Sequence, residues 1–330
     1  MAGFGTVCGL AAACGGDADE PDAPKAMAGS AGVPVAGTAS GGSGGSASGT
    51  GGATTGGSSS RGGSAALCEG TFGASQTLFD FEKNIASSLS ITSDELELFF
   101  VDVRPDPVSH NISVLKRSSK SAAFSGPTVV SELQAACAAE DYPALDVSDD
   151  GLRIYFTCLD GPAPLRFATR ASRSAAWVVD AEPIGTVGDS ITVSGDELTA
   201  VGVRDLGSNP RPEAYTRTTP EGSFGAALAV AGVAESFRNP DLSFDGRMLF
   251  GVVDQSGADA RIAFVSLDGA LGATAAPSTA GMPQAPAGST ASSVSDYTPT
   301  LTPDCRSIYF FRGTVPSTGG IRYTLEYAER

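Results

Sequence analysis

The chain has 330 residues, 41% of them hydrophobic, and a formal net charge of −16. That acidity excludes nucleic acid and anionic lipid headgroups as direct partners, since both need a basic footprint. Forty-two glycines and 20 prolines, with little helical periodicity, point to an all-β chain rich in turns, and the apolar content suffices for a sizeable core.

The first residues, MAGFGTVCGLAAAC, form an apolar segment too short to span a bilayer, and they read as a secretory signal ending in small residues. LAAAC resembles the bacterial lipobox, which implies that Cys14 is acylated and begins the mature protein. Residues 15–67 are acidic at Asp17, Asp19, Glu20 and Asp22 and then almost only Gly, Ala, Ser and Thr. Such a tract cannot bury enough apolar area to offset its ordering entropy, so a disordered tether is expected, with a reach on the order of 40 Å. The domain plan is therefore 1–14 signal and lipid-attachment segment, 15–67 tether, 68–330 folded domain.

Beyond Cys68 one pattern recurs: LSITSDELELFF (89–100), LDVSDDGLRIYF (145–156), ITVSGDELTAVG (191–202), PDLSFDGRMLFG (240–251) and PTLTPDCRSIYF (299–310). Aligned on Asp94, Asp150, Asp196, Asp245 and Asp304, the copies are 56, 46, 49 and 59 residues apart by subtraction. A period of that size belongs to propeller blades or solenoid repeats. A short Asp side chain accepts bonds from the following backbone N–H groups and Gly tolerates positive φ, so Ser-x-Asp-Gly closes a tight turn. The alternating run after it suits a pleated strand, which makes each copy a hairpin. Glu95, Glu197 and Cys305 stand where the other copies have the turn Gly.

A second landmark keeps phase with the first. Arg117 and Phe124, Arg170 and Trp177, and Arg217 and Phe224 are each seven residues apart, and each Arg follows its Asp by 23, 20 or 21 residues. The unit reads as strand, Asp turn, strand, loop, a third strand ending at Arg, and a fourth strand after the aromatic residue: a four-stranded blade. The fourth and fifth copies show no such pair. The turn aspartates read as structural, because that role recurs in every blade, and the Arg and aromatic pairs read as packing between blades.

The Ser-x-Asp-Gly turn, the aromatic strand and the downstream Arg and Trp together resemble the TolB-like β-propeller repeat, often described as WD-repeat-like, of bacterial envelope proteins. The resemblance runs from about Cys68 to the C-terminus and is clearest in the second copy. It implies a single all-β propeller of five blades, or six if a degenerate one lies between Asp245 and Asp304. With the lipobox it implies an exported lipoprotein of the outer membrane or cell surface, or alternatively of the periplasm.

Setting aside Cys8 and Cys14 leaves Cys68, Cys137, Cys158 and Cys305, an even number suited to an oxidising compartment. Of the three pairings, Cys137 with Cys158 is favoured, because the loop before a blade lies near that blade's second strand, leaving Cys68 with Cys305. Four buried free thiols are the alternative. Only RSIYFF and IRYTLEYAE follow Asp304, so the last blade lacks its outer strand. The apolar run TLFDF, Thr77 to Phe81, precedes the first Asp turn without a hairpin of its own. Pairing it with the C-terminal strands would close the ring and cover a sheet edge.

Catalytic motifs are sparse. The G-x-S-x-G match at Gly41 to Gly45 sits in low-complexity sequence without the strand and helix that motif needs. The chain's one histidine, His110 in PDPVSHNIS, reads as an exposed loop residue. No P-loop occurs, and no CxxC or His cluster indicates a metal, so neither metal nor cofactor is expected. Glu140, Asp141 and Asp180, outside the repeat phase, are candidates for a glycosidase-like cleft, in which two carboxylates flank the scissile bond. The expectation is a monomeric, non-enzymatic binding or scaffold propeller that holds a protein or glycan partner and meets the membrane only through its lipid. The alternative is a propeller glycoside hydrolase or lyase.

Overall fold

The computed structural model describes residues 68, 70–81, 85–105, 108–137, 144–158, 163–188, 190–204, 210–233, 236–253, 260–269, 271–284, 293–315 and 321–330. The signal segment and the tether lie outside the described residues, as do Glu140 and Asp141.

The described chain is a five-bladed β-propeller. A lone first strand, β1 (Gln76–Asp80), precedes blade one, which comprises β2 (Ile85–Ile91), β3 (Glu97–Pro105), β4 (Val108–Lys116) and β5 (Ser125–Val129). After one helical turn, α1 (Ser131–Gln134), blade two comprises β6 (Ala144–Val147), β7 (Arg153–Thr157), β9 (Arg166–Thr169) and β10 (Val178–Val179). A side ladder pairs β8 (Ala163–Pro164) with β11 (Thr186–Val187). Blade three is β12 (Ser190–Val193), β13 (Thr199–Arg204), β14 (Arg211–Thr216) and β15 (Leu228–Ala229). Blade four has three strands, β16 (Phe237–Leu242), β17 (Met248–Val253) and β18 (Arg261–Ser266); in place of a full fourth strand it has two bridges, Phe264 to Ser278 and Leu267 to Ala273. This long stretch after β18 is where the sequence left room for a sixth blade. Blade five is β19 (Ser293–Leu301), β20 (Ser307–Val315), β21 (Arg322–Glu329) and, from the other end of the chain, β1.

Each innermost strand (β2, β6, β12, β16, β19) packs beside that of the next blade, and β19 returns to β2. The apolar cores therefore lie between blades. Phe99, Val101 and Ile112 of blade one meet Leu145, Ile154 and Phe156 of blade two. At the closing junction Leu98 and Phe100 meet Phe311, Leu325 and the incoming Phe81.

The ring closes through both chain ends. Antiparallel pairing of β1 with β21 places Gln76 opposite Tyr327 and Asp80 opposite Thr324, which gives the last blade its outer strand. Polar contacts pin it: Thr77 Oγ1 donates to Glu326 (2.7 Å), and Arg312 Nη1 donates to Ser75 Oγ (2.8 Å). Phe81 packs edge-on against Phe100 and Phe311, at 5.2 and 5.4 Å between ring centroids. Disulfides join Cys68 to Cys305 across this closure and Cys137 to Cys158 at the entry to blade two.

Two readings need correction. His110 is not an exposed loop residue: it lies in β4, opposite Val103 of β3, and is 1% exposed, because the β3 and β4 ladder runs on to Pro105 opposite Val108. Nor does the fifth blade lack an Arg and aromatic pair. In blades one to three the Arg backbone N–H donates to the carbonyl two residues after the turn Asp (Leu96, Leu152, Leu198), each at 2.9 Å. Arg330 does the same to Arg306 at 3.0 Å, and its guanidinium lies 4.1 Å from the Phe72 ring centroid. The pair is split between the chain's ends. In blade four the same backbone bond comes from Leu267, so there an aliphatic side chain packing with Val201 replaces the bracket.

Candidate functional site

The five Asp turns occupy one face and share one geometry. Each Oδ1 accepts from the Ser or Thr hydroxyl two residues before it and from the N–H two residues after it. For Asp150 these are Ser148 (2.7 Å) and Leu152 (2.8 Å); for Asp304, Thr302 (2.7 Å) and Arg306 (3.1 Å). Asp94, Asp196 and Asp245 repeat the pair. The next residue is left-handed in every blade: Gly151 and Gly246 at φ of 71° and 69°, but also Glu95, Glu197 and Cys305 at 61°, 60° and 54°. Non-glycine residues tolerate that region only where surrounding contacts compensate. Glu95 has such contacts in Arg117, Lys120 and Tyr309, Glu197 in Arg153 and Tyr155, and Cys305 in its disulfide.

On the same face the arginines bracket the blades. Arg117, Arg170 and Arg217 each lie over the aromatic ring of their own blade, Phe124, Trp177 and Phe224, at 4.5, 4.4 and 4.3 Å. Each donates Nε to the carbonyl of the left-handed residue and reaches the preceding blade, at Tyr309, Glu97 and Tyr155 respectively. These are cation–π and hydrogen-bonded links between sheets, and they commit the arginines to contacts within the ring.

The central channel is different. Four residues before each turn Asp, the inner strand carries Ser90, Asp146, Thr192, Asp241 or Thr300, and these side chains step round the ring. Val147 N–H donates to Ser90 Oγ (3.0 Å), Val193 N–H to Asp146 Oδ2 (2.6 Å), Leu242 N–H to Thr192 Oγ1 (2.9 Å) and Leu301 N–H to Asp241 Oδ2 (2.9 Å). Ser90 Oγ also donates to Asp146 Oδ1 (2.6 Å). Each link runs from one blade to the next, satisfying an inner-edge backbone group that has no further strand to pair with. The two channel aspartates are thus structural acceptors, and burial penalises their charge. It pushes Asp146 up to about 6 against the pull of Ser90 and Val193, and it holds Asp241, with Asp146 nearby, well above the usual carboxylate range.

The channel has two mouths that share Asp146 and Asp241. The turn-side mouth is narrow and rimmed by Asp149, Gly195, Phe244 and Pro303; the Phe244 ring lies so close over Gly195 that a Cβ there would sit 2.0 Å from it. Half-buried Asp149 is pushed up to about 7 by burial and then by the charges of Asp146, Asp150 and Glu197. The opposite mouth opens into a cavity of about 220 Å³. Three of its rim residues, Ser88, Asn239 and Thr298, sit six positions before a turn Asp and form matching bulges with φ of 47°, 48° and 42°. Ser88 Oγ is bonded to Leu145 of the next blade, whereas Pro240 and Pro299 begin their stretches without an N–H to offer. Thr298, 6% exposed, has a buried Oγ1 with no hydrogen-bond partner among the described residues.

Asp180, the described member of the acidic trio, is exposed near the outer strand of blade two, where Oδ1 accepts from Glu182 N–H (3.0 Å); it is not in the channel. The channel carboxylates were missed. Their signal was the recurring hydrogen-bonding residue four places before each turn Asp.

No protein-family model matches the chain, and no curated protein matches it. Solved structures do resemble it. The α-L-arabinofuranosidase PaAbf62A of Podospora anserina, in complex with cellotriose, is 11% identical with a TM-score of 0.53, covering 79% of this chain and 96% of that one. The GH43_1 enzyme of Xanthomonas citri complexed with xylose is 14% identical at a TM-score of 0.52, covering 80% and 91%. TolB of Acinetobacter baumannii is 15% identical at 0.41, covering 74% of this chain, which spans only 54% of the TolB. At these identities the likeness is one of fold.

Proposed function

We propose that the chain is a non-enzymatic binding or scaffold propeller of the bacterial cell envelope, lipid-anchored through Cys14, that holds a protein or glycan partner. Two disulfides suit an oxidising compartment and support export. The observation that carries the non-enzymatic reading is the use made of the axial carboxylates. Asp146 accepts through both oxygens and Asp241 through Oδ2 in bonds that tie neighbouring blades, and Ser or Thr fills the same position elsewhere. A hydrolase of the two-carboxylate kind needs one free acid and one free base flanking a bond. At the turn-side mouth the neighbouring charges around Asp149 are all acidic, and the opening is constricted by Phe244.

The test has two arms. Purified protein is incubated with arabinosylated xylo-oligosaccharides; no release of sugar is expected, and release that disappears in Asp149→Asn would overturn the reading in favour of the hydrolase or lyase. In envelope fractions, the wild type should partition with the membrane and retain a partner, and Cys14→Ala should move it to the soluble fraction. Membrane partitioning unchanged by that substitution would reject the lipid anchor.

A further inference from the structure

The mouth opposite the Asp turns has a composition that the ring links do not explain. Its floor holds two buried carboxyls, Asp146 and Asp241, its walls include Leu89, Leu145 and Ile191, and Thr298 Oγ1 on the rim is buried without a partner. None of the residues lining either mouth is basic. Ser90 and Thr192 show that a hydroxyl is enough at the equivalent position of the ring; carboxyls in two of the five blades place acids there that folding does not require and whose ionisation burial makes costly.

We propose that this mouth binds a primary ammonium group on an aliphatic chain, the chemistry shared by a lysine side chain and a small free diamine. The assignment deepens the partner-binding reading and rests on it. An ammonium at the floor offsets the paired carboxyls, the methylenes lie against the aliphatic walls, and Thr298 Oγ1 gains a donor from the group at the rim. The cavity of about 220 Å³ is open to solvent and admits a short alkyl chain such as that of 1,5-diaminopentane. Other ligand classes fit worse. An anion meets two carboxyls and no basic side chain, a sugar finds no aromatic ring to stack on, and among the described residues no three His, Cys, Asp or Glu side chains gather to hold a metal.

Proton linkage follows from the charges facing the floor: Asp146 on β6 and Asp241 on β16, with no titratable side chain lining this mouth from β2, β12 or β19, and with Asp149 at the other, turn-side mouth. Burial raises both, so a bound ammonium displaces protons from them, and the amine binds more tightly at pH 8 than at pH 5.

The test is calorimetric titration of the full chain with 1,5-diaminopentane and with Nα-acetyl-lysine amide, against the Nε-acetylated amide and xylotriose. One-to-one binding of at least one amine is expected, with the diamine alone binding if the occupant is a free amine and the lysine amide binding if it is a protein side chain. Asp241→Asn should weaken it roughly tenfold or more, and Thr298→Val several-fold, with melting temperatures not lowered. No binding of either amine at about 10 mM, equal binding of the acetylated amide, or unchanged affinity in folded Asp241→Asn would overturn the site. The two readings fail separately. If an envelope partner is retained equally by Asp241→Asn and is not displaced by diamine, the mouth assignment falls and partner binding stands; if amines bind but no partner is retained, the reverse holds.

Discussion

Cutting the Cys68–Cys305 crosslink, whose cysteines are buried, should cost more than cutting Cys137–Cys158, whose cysteines are partly buried. The first closes a span of 237 residues and the second one of 21. Chain-entropy loss in the unfolded state scales with the logarithm of that span, giving about 5.5 kcal/mol for the long loop and about 3.3 kcal/mol for the short one. The variants must be chosen so that backbone strain does not obscure the difference. Cys305 sits at φ 54°, so Gly is the substitution that leaves that turn unstrained, and Cys68→Ala with Cys305→Gly isolates the crosslink. Cys137→Ala with Cys158→Ala is the comparison. The chain has a single tryptophan, Trp177, packed against Phe99 between blades one and two, and its fluorescence reports urea unfolding without an added label. A loss of about 5 kcal/mol is a large part of the stability of a typical domain, so the long-loop variant should have its midpoint shifted strongly toward zero denaturant. Equal losses for the two pairs, or a larger loss for the short one, would refute the reasoning. In that case closure would be held by the β1 to β21 ladder and its polar contacts, without need of the covalent lock.

The buried carboxyls set a pH dependence opposite to that of a salt-bridged protein. Asp146, Asp149 and Asp241 have folded values raised above the unfolded one, so their contribution is fully present below about pH 4 and is lost as pH rises through 6 to 7; Asp146 alone is worth on the order of 3 kcal/mol. Thermal melts should therefore show lower stability at pH 8 than at pH 5, and Asp241→Asn, which keeps an acceptor for Leu301 N–H, should raise the melting temperature at pH 8 and flatten the profile; a profile unchanged by that substitution would count against it. Arg170→Ala should destabilise by roughly 3 kcal/mol or more in urea titrations, because Glu97, which is 4% exposed, would lose its buried guanidinium partner and Trp177 its cation. A loss below about 1 kcal/mol would mean that Lys116, 2.7 Å from Glu97, suffices to hold that carboxylate.

What could be read in advance was whatever is encoded locally and repeated. A turn Asp bonds to atoms within two residues of itself, so each copy carries its own evidence, and the pattern survives where Glu95, Glu197 and Cys305 replace Gly because their side chains are held by other contacts. The closing strand was readable for a related reason: a last blade short of one strand and an apolar run without a hairpin imply each other. The fifth Arg and aromatic bracket follows from that closure but is invisible to a reading in chain order, since Phe72 and Arg330 stand at opposite ends of the folded chain. His110 reads as a loop residue because a proline such as Pro105, which here ends β3, looks in sequence like one of a loop.

The channel was missed for a subtler reason. Among the acidic residues outside the repeat phase, Asp180 stands exposed near an outer strand. The axial carboxyls are in phase, at a position that in four blades supplies an acceptor for the next blade's N–H. Ser90 and Thr192 meet that need with a hydroxyl, at no electrostatic cost. Asp146 and Asp241 meet it with a carboxyl whose burial opposes ionisation. Folding accounts for an acceptor at those two positions but not for the acid. The difference between what the ring requires and what these two blades supply is therefore where selection for a ligand would be visible, in the residue type at a position whose geometry is otherwise uniform.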